Sequence, residues 1–314
     1  MRNKKIEFFD SCPCCGRRLA FYEEHTQTVK NCPCCGAPIR FEADEEECKY
    51  RIFADLSGES FCEDGFVVEN GVLVRYEGKE EKIATPFGVL MIGEKAFENN
   101  RSLKEITVSE GVLYIGTEAF SHAENIRKLT LPSGLSAIGN CAFWNCRRLE
   151  SIAVPASVRA MGYGLFHGCE NLENAELPME IPYVGGWIYG FCKRLKRAVV
   201  PSGRREVDHH DFSESEQIEE LVIGRGVQRI HGYMCHLRKL ARVYFEDPTG
   251  WQTQNTNFGG ASNAEDIPER ELKNQKKAAQ RIKKFSGIQG MCRAEAQDLV
   301  MSLDDCLKLW ETKD

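Results

Sequence analysis

Residues 146–166 read CRRLESIAVPASVRAMGYGLF, and this pattern of apolar and small residues returns every 23 positions along the middle of the chain. Three rows show the period: Leu103, Ile126, Leu149, Leu172, Leu195 and Ile218; Phe97, Phe120, Phe143, Phe166, Tyr189 and Phe212; and Val108, Leu131, Val154, Leu177, Val200 and Ile223. A fixed period of this length is typical of a solenoid, in which each repeat buries its apolar side against its neighbours. The sequence therefore predicts stacked coils that bring equivalent residues together.

Each repeat contains signals for one short strand and for the bends that follow it. Ile106 and Val108 alternate with polar residues, as in a strand with one buried face. Proline ends the strand in most repeats because it has no N–H to donate to a sheet. Glycine recurs where a sharp bend brings backbone segments close together, and an Ala-Phe pair such as Ala119-Phe120 suits a short helical turn on the outer side. This predicts about eight stacked strands.

The repeat unit C-x-x-L-x-x-I-x-L-P-x-x-V-x-x-I-G-x-x-A-F resembles the leucine-rich repeats of bacterial surface antigens of the BspA-like class. The resemblance covers nearly two thirds of the chain. It implies an α/β solenoid over residues 66–260 that is built from 23-residue repeats, with the strands on the concave side. Members of this class are often secreted and associated with adhesion.

Three cysteines, Cys146, Cys169 and Cys192, follow the same 23-residue step and should stack on adjacent coils. A second metal site or a disulfide pair is one interpretation. Because stacked side chains point in parallel, a row of buried thiols is the better interpretation.

The N-terminal segment 1–41 contains two near-copies of one cysteine motif. Cys12, Cys15, Cys32 and Cys35 give the spacing C-x2-C-x16-C-x2-C, which fits a tetrahedral zinc site made of two knuckles. The segment resembles the zinc-ribbon family. Four thiolates close the coordination shell, so the predicted Zn²⁺ is structural, and its binding should be coupled to folding. A redox C-x-x-C pair is the alternative, and Cys14 and Cys34 are interpreted as spare thiols.

Two further segments flank the repeats. Residues 42–65 are rich in Asp and Glu and predict an acidic linker. Beyond residue 260 the periodicity becomes helical, so 261–314 predicts a helical tail, in which Pro268 opens a basic helix. Trp251 and Phe258 follow the last repeat directly and are expected to cover the open end of the solenoid.

The overall charge and the absence of long apolar runs restrict the cellular setting. A formal net charge of −6 argues against coating of nucleic acid by the whole chain. The sequence contains no run of 18 apolar residues and no apolar stretch typical of a signal peptide. We therefore expect a cytoplasmic protein with no membrane partner, and reduced thiols.

The strand residues that point away from the core predict a binding surface for a protein or peptide. Their charges change sign from coil to coil and make no continuous basic stripe, which favours a partner with complementary bands over nucleic acid. A solvated strand face without a partner is an equally good interpretation. The candidate partner-binding residues are Lys104, Arg127, Lys128, Glu150, Glu173, Glu176, Lys196, Arg197, Glu219, Glu220, Arg242 and Tyr244.

No enzyme motif is recognisable, so the sequence predicts a non-catalytic intracellular scaffold that combines a structural zinc site with a repeat surface. The alternative is a nucleic-acid-binding adaptor that uses the ribbon and the basic C-terminal helix. The oligomeric state and the partner's identity do not follow from the sequence.

An enzyme or metal site at Asp208-His209-His210-Asp211 is a third hypothesis. Adjacent histidines in an extended segment point to opposite faces, so a loosened, exposed turn is expected there instead.

Overall fold

The structure is a computed structural model that describes residues 7–15, 18–22, 30–32, 35–44, 49–56, 58–232, 234–255, 266–284 and 289–293. Cys34 and Phe258 lie outside these residues, as does the last predicted helical stretch beyond residue 293. None of the helices in the described part of the chain has the length and apolar character needed to cross a membrane.

Two antiparallel hairpins form the N-terminal part. They consist of β1 (Glu7–Ser11) with β2 (Arg18–Tyr22), and β3 (Ile39–Asp44) with β4 (Lys49–Ala54). Asp10 joins them, because its carboxylate accepts a hydrogen bond of 2.8 Å from the backbone N–H of Ile52.

The second hairpin lies partly within the predicted acidic linker. Residues 42–65 were predicted to be an acidic linker, whereas the structure places strands at Lys49–Ala54 and Phe61–Glu63 within this segment. The strand forms despite the acidic composition because Ile39 and Ile52 bury their side chains, and one buried face is enough to hold a hairpin in place.

The strands of the solenoid follow in chain order as β5 (Phe61–Glu63), β6 (Phe66–Glu69), β7 (Val72–Tyr76), β8 (Lys82–Ala84), β9 (Met91–Ile92), β10 (Glu105–Thr107), β11 (Tyr114–Ile115), β12 (Lys128–Thr130), β13 (Ala137–Ile138), β14 (Ser151–Ala153), β15 (Ala160–Met161), β16 (Asn174–Glu176), β17 (Tyr183–Val184), β18 (Arg197–Val200), β19 (Glu206–Val207), β20 (Glu220–Ile223), β21 (Arg229–Ile230), β22 (Arg242–Phe245), β23 (Trp251–Asn255) and β24 (Gln289–Arg293).

Each coil contributes one strand to each of two parallel rows. The even-numbered strands from β8 to β22 form the first row, which consists of a five-stranded sheet from β8 to β16 and a three-stranded sheet from β18 to β22. Within the first of these sheets Ile106 pairs with Leu129 of the next coil. The odd-numbered strands from β9 to β21 form the second row, in which β9 to β17 belong to one sheet and β19 and β21 to another. In the first of these sheets Ile115 pairs with Ile138. The first row is the one that the sequence predicted, and its eight strands confirm the expected stacking; its position on a concave side stays a prediction.

The second row and the turns correct the predicted fold class from an α/β to a β-solenoid with few helices. Where a helical turn was expected beside Ala119-Phe120, the chain makes tight turns that contain two residues in the left-handed region, such as Glu118 and His122. Equivalent positions in neighbouring coils repeat this conformation. A right-handed helix cannot continue through a left-handed residue, so the turn ends after a few residues.

Aromatic rings form the spine of the core. The ring of Phe143 lies between those of Phe120 and Phe166, with centroid distances of 5.6 Å and 5.8 Å and nearly parallel planes. The column runs from Phe97 to Phe212, all of it buried. The prediction that equivalent residues are neighbours is therefore confirmed.

The three stacked cysteines line the same core. The thiol of Cys169 donates to the carbonyl of Phe143 over 3.2 Å, and Cys146 and Cys192 make the equivalent bond one coil away on either side. Their thiols are free and fully buried, as the preferred interpretation required. In the next coil Ser215 takes this position and donates to the carbonyl of Tyr189. Four successive coils therefore place a small side chain with a hydrogen-bond donor at this position.

Both ends of the solenoid are covered. At the start, β5, β6 and β7 form an antiparallel sheet that continues into the second row through β9. At the other end, β24 pairs antiparallel with both β21 and β23. Trp251 is 1% exposed within this cap, in agreement with the covering role predicted for it.

The predicted helical tail includes a strand as well as helices. Helices α1 (Glu269–Leu272) and α2 (Gln275–Lys284) precede β24. Helix α2 packs against β22, and its apolar face is buried through Ala278, Ala279 and Ile282.

Candidate metal centre and binding surfaces

Four cysteines come together in the N-terminal hairpin region. Cys12 and Cys15 lie in the turn that follows β1, and Cys32 and Cys35 lie in a second turn just before β3. The second turn is closed by hydrogen bonds from Cys32 N–H to the Ala37 carbonyl (2.7 Å) and from Gly36 N–H to the Cys32 carbonyl (2.8 Å). Gly36 has a φ of +74°, which this tight turn requires and glycine adopts at no steric cost.

The four sulfur atoms have the spacing of a tetrahedral metal site. All four lie within 4.8 Å of one another, and the Sγ atoms of Cys12 and Cys35, and those of Cys15 and Cys32, are 3.8 Å apart. Four sulfurs at about 2.3 Å from one ion in a tetrahedron lie about 3.8 Å from each other. All four side chains are buried, so the residues present fit a closed four-cysteine site with no open position for a substrate.

The charge of the cluster also suits a dication. Hydrogen bonds with Cys14 and Cys15 lower the pKa of the Cys12 thiol to about 5. Hydrogen bonding to Cys12, together with burial, raises the pKa of Cys15 and Cys35. Metal ligation requires thiolates, so a bound dication would displace the protons that these thiols carry.

Cys14 is buried beside the four but is not part of the tetrahedral set. Its pKa is raised, first by its hydrogen bond to Cys12 and then by burial. This position is consistent with the interpretation of Cys14 as a thiol that is not a ligand.

The cysteine cluster lies against the second strand row of the solenoid. Cys12, Cys15, Cys32 and Cys35 share one apolar cluster with a column of side chains, Met91, Tyr114, Ala137 and Ala160. The hydroxyl of Ser136 also donates to the carbonyl of Cys35 over 3.4 Å. Burial under this cover, followed by the charge of nearby cysteines, raises the pKa of Tyr114 to about 12. The N-terminal module therefore packs on the solenoid and covers part of the second strand row.

The residues predicted to bind a partner lie along the first strand row and its flanks, and all twelve are exposed or half-buried. Some of their charges are paired between coils. Glu220 lies between Arg197, at 3.8 Å, and Arg242, which donates two hydrogen bonds to one of its carboxylate oxygens. Lys104 pairs with Glu81 one coil earlier. The structure thus brings these residues to one face, where ion pairs between neighbouring coils neutralise part of their charge.

An apolar surface adjoins the Arg197–Glu220–Arg242 ladder. Val222 and Tyr244 are opposite each other in β20 and β22, and both side chains are half-buried. A partly apolar centre with a charged border is a common composition for a protein interface.

The Asp208–Asp211 segment differs from the extended, loosened turn that was expected. Residues His209–Phe212 form a 3-10 helix, and Asp208 caps it by accepting a 2.8 Å hydrogen bond from the His210 N–H. Asp211 is 2% exposed, pairs with Arg204 at 3.0 Å and accepts a 2.6 Å bond from the Trp187 N–H. The buried ion pair stabilises this turn. The ring centroids of His209 and His210 are 3.8 Å apart, so the two rings do not point to opposite faces.

Asp208, His209 and His210 have ligand atoms within 4.8 Å of one another. Asp208 is already engaged as the helix cap, however, and His210 is exposed and stacks on Trp187. The local hydrogen bonds account for this group without a metal.

The basic C-terminal helix is tied down by acidic neighbours. Arg281 makes hydrogen bonds of 2.5 Å and 3.0 Å to Glu271, and Lys273 pairs with Glu269 at 2.8 Å. These contacts reduce the positive charge that α1 and α2 present to a phosphate backbone.

One surface feature has no counterpart among the sequence predictions. The turns between the second row and the first form a groove of about 280 Å³, which is lined by Glu98, Glu118, Trp144, Tyr163 and Trp187 among others. Trp144 is one 23-residue step from Ser121, and Trp187 is one step from Gly164. The 23-residue period could therefore have identified the columns that line this groove.

The chain matches the BspA type leucine rich repeat region, in six copies, over residues 76–166 and 113–240. Together these segments cover more than half of the 314 residues. No curated protein matches the chain.

The chain is similar to several solved structures of leucine-rich repeat proteins. A leucine-rich cell surface protein from Faecalibacterium prausnitzii is 21% identical, with a TM-score of 0.53, and the match covers 63% of this chain and 57% of that protein. A leucine-rich repeat protein from T. pallidum is 23% identical over 54% of this chain and 90% of its own length, with a TM-score of 0.47. The pneumococcal vaccine antigen PcpA is 20% identical over 61% of this chain and 48% of its own, with a TM-score of 0.43. From the repeat match and the coil geometry together, the chain belongs to the BspA-type leucine-rich repeat family.

Proposed function

We propose that the protein is a non-catalytic scaffold that binds a protein or peptide partner on its first strand row, with a structural zinc ion at Cys12, Cys15, Cys32 and Cys35. The observation that carries the proposal is the unequal cover of the two rows. The N-terminal module packs on the second row, whereas the outward side chains of β10, β12, β14 and β16 are exposed or half-buried.

The charge pattern of the exposed row supports a protein partner over a nucleic acid. Basic Arg127 and Lys128 are followed one coil later by Glu150, and Glu173 and Glu176 extend the acidic band. A polyanion needs a continuous basic track, and this alternation interrupts it. A partner protein with charged bands of opposite sign would bind such a face in one defined register.

The zinc ion has a structural role in this proposal. A closed shell of four thiolates fixes the two turns that carry the cysteines, and so shapes the surface that covers Met91 and Tyr114. Thiolate ligands must remain reduced, which supports the cytoplasm as the compartment in which the protein works.

Metal analysis of the purified chain tests the zinc site. We expect about one zinc per chain, with X-ray absorption reporting four sulfur neighbours at about 2.3 Å. Cys35→Ser should lose the metal to a mild chelator, whereas Cys14→Ser, its matched buried neighbour, should keep it. Equal retention by both variants would contradict the ligand assignment.

Charge reversal tests the binding face. We expect Arg127→Glu with Lys128→Glu to abolish capture of a protein partner that the unmodified chain recovers from cell extract. The matched control is Arg238→Glu with Lys239→Glu, an exposed basic pair outside the strand row. If both double variants capture the partner equally, the first row is not the binding face.

A salt titration with a DNA or RNA oligonucleotide tests the alternative that the protein is a nucleic-acid-binding adaptor. That alternative predicts an affinity that falls steeply with salt and weakens in Lys276→Gln. The scaffold predicts no such binding.

A further inference from the structure

The groove on the turn side of the solenoid is built from successive coils. Two parallel columns of the 23-residue repeat supply lining residues: Glu98, Ser121 and Trp144 from one, and Glu118, Cys141 and Trp187 from the other, in which Gly164 takes the place between Cys141 and Trp187. Tyr163 completes the wall beside Trp187. These side chains lie in register because the coils do.

Small residues in the middle of each column create the depression. Ser121 and Cys141 are buried and leave a low floor between larger neighbours. Gly164 has no side chain, and a Cβ there would lie 2.9 Å from the Trp144 ring. The indole of Trp144 therefore lies directly over the backbone of the next coil.

The rings of Tyr163 and Trp187 form a corner at one end of the groove, and Trp144 also lines the groove. The rings of Tyr163 and Trp187 are at 84° to each other, with centroids 6.2 Å apart. The ring of His167 stacks on Trp144 at 3.9 Å, which covers one indole face. Tyr163 is 45% exposed and Trp187 is 40% exposed, although large aromatic side chains ordinarily gain by burial.

The other end of the groove is acidic. Glu98 and Glu118 line it, and Glu94 lies close by. Lys95 pairs with Glu118 at 3.4 Å and with Glu94 at 4.0 Å. Two carboxylates, Glu98 and Glu118, therefore line this end, and Lys95 offsets part of the charge of Glu118.

We propose that this groove receives the cationic side chain of an arginine from a partner protein. Tyr163 and the face of Trp187 that His210 leaves uncovered offer π surfaces to a guanidinium, and the carboxylates at the other end of the groove supply a negative field that attracts it. A groove of about 280 Å³ is below the range of drug-sized ligand sites and suits one long side chain. The inference rests on the proposed scaffold function and adds a second contact surface with a stated chemistry.

A neutral sugar fits this geometry less well. A sugar ring stacks on a flat aromatic platform, whereas Tyr163 and Trp187 meet at nearly a right angle. The surplus of carboxylates also gives no advantage to a neutral ligand.

Fluorescence anisotropy with two labelled peptides tests the proposal. The peptides are identical pentapeptides of Gly and Ser with a central arginine or, in the second, its neutral isostere citrulline. We expect the full-length protein to bind the arginine peptide about tenfold more tightly, which reflects cation–π attraction and charge pairing. Equal affinity for both peptides, or binding of neither, would overturn the proposal.

Variants locate the binding to the groove. Trp187→Leu, Tyr163→Leu and Glu118→Gln should each weaken arginine-peptide binding several-fold. The controls are Phe87→Leu, which changes an aromatic residue that is 93% exposed elsewhere, and Glu69→Gln, which removes an exposed carboxylate. If Glu69→Gln weakens binding as much as Glu118→Gln, the attraction is general and the groove is not the site. Unchanged melting temperatures show that the variants are folded.

Two further readouts distinguish the outcomes. Binding of a neutral hexasaccharide that is lost in Trp187→Leu, without selectivity for arginine, would assign the groove to a sugar and refute the inference. A partner captured through the first strand row that binds Trp187→Leu with full affinity would also refute it, while leaving the scaffold function intact.

Discussion

Truncation of the central ring of the core column gives the sharpest test of the coil geometry. The side chain of Phe143 is fully buried, and its ring lies between two others at centroid distances of 5.6 Å and 5.8 Å. Phe143→Ala removes the buried ring and leaves a cavity, which costs about 3–5 kcal/mol in the free energy of unfolding. Phe143→Leu keeps most of the apolar volume but loses two ring pairs, each worth about 0.5–1.5 kcal/mol.

Urea and thermal denaturation of the full chain, followed by circular dichroism, measure both variants. We expect the Ala variant to melt about 6–20 °C below the unmodified protein, since a domain of this size loses about 2–4 °C for each kcal/mol. Phe87→Ala is the matched control. Its ring is 93% exposed, so the same truncation should change stability by less than about 0.5 kcal/mol.

Similar stabilities of Phe143→Ala and Phe87→Ala would refute the stacked ring column. That result would mean that the ring column contributes nothing to the core, and that the repeat rows do not stack as described. A loss in Phe143→Leu as large as that in Phe143→Ala would instead show that ring stacking, more than buried volume, stabilises the column.

Two further predictions concern backbone packing and pH. In Gly162→Ala the added Cβ would clash with the backbone nitrogen of Asn140 in the coil before it, so we expect a loss of about 1–3 kcal/mol by urea denaturation. Gly134→Ala, where no atom lies within 4 Å of the added Cβ, should be close to neutral, and equal losses at the two sites would contradict the close approach of the coils. Burial raises the pKa of Cys146 from 9.0 to about 12, so its proton is kept in the folded state at pH values where the unfolded chain releases it. Its contribution to stability is therefore complete below pH 9 and is lost as pH rises towards 12, by about 1.4 kcal/mol per pH unit. The stability of Cys146→Ala should lack this part of the decline. Parallel stability profiles of the variant and the unmodified protein over this range would show the assignment to be wrong.

The repeat architecture was predictable because its information is periodic. A 23-residue step places Phe97, Phe120 and Phe143 at the same point of successive coils, whatever the exact path of the chain between them. The positions of the first strand row followed from alternation around Ile106. The grouping of four cysteines followed from the spacing of two short motifs.

Other parts of each coil were not predictable in the same way. Strands of the second row, such as Tyr114–Ile115, have two residues, too few to show an alternating pattern. The outer turns adopt left-handed conformations at residues such as Glu118, which have no intrinsic preference for them. The requirement that the chain return to its starting point one strand spacing further along imposes both features.

The Asp208–Asp211 segment shows how a distant contact overrides local pattern. Its residue types indicated an exposed turn, but Asp211 is buried against Arg204 and holds the Trp187 N–H of the preceding coil. A capped 3-10 helix results.

By itself, the amino-acid sequence determined the coil, its buried columns and the cysteine set, because these depend on residues that recur at one fixed step or lie in one short motif. Only the tertiary structure decided that the cysteine module covers the second strand row, where Cys35 and Ser136 meet although 101 positions separate them. It also decided that Glu118, Tyr163 and Trp187 share one groove. The position of the module depends on how surfaces far apart in the sequence fit together, and such complementarity leaves no periodic trace. The groove does follow columns of the 23-residue step, but its depth depends on the path of the turns between those columns.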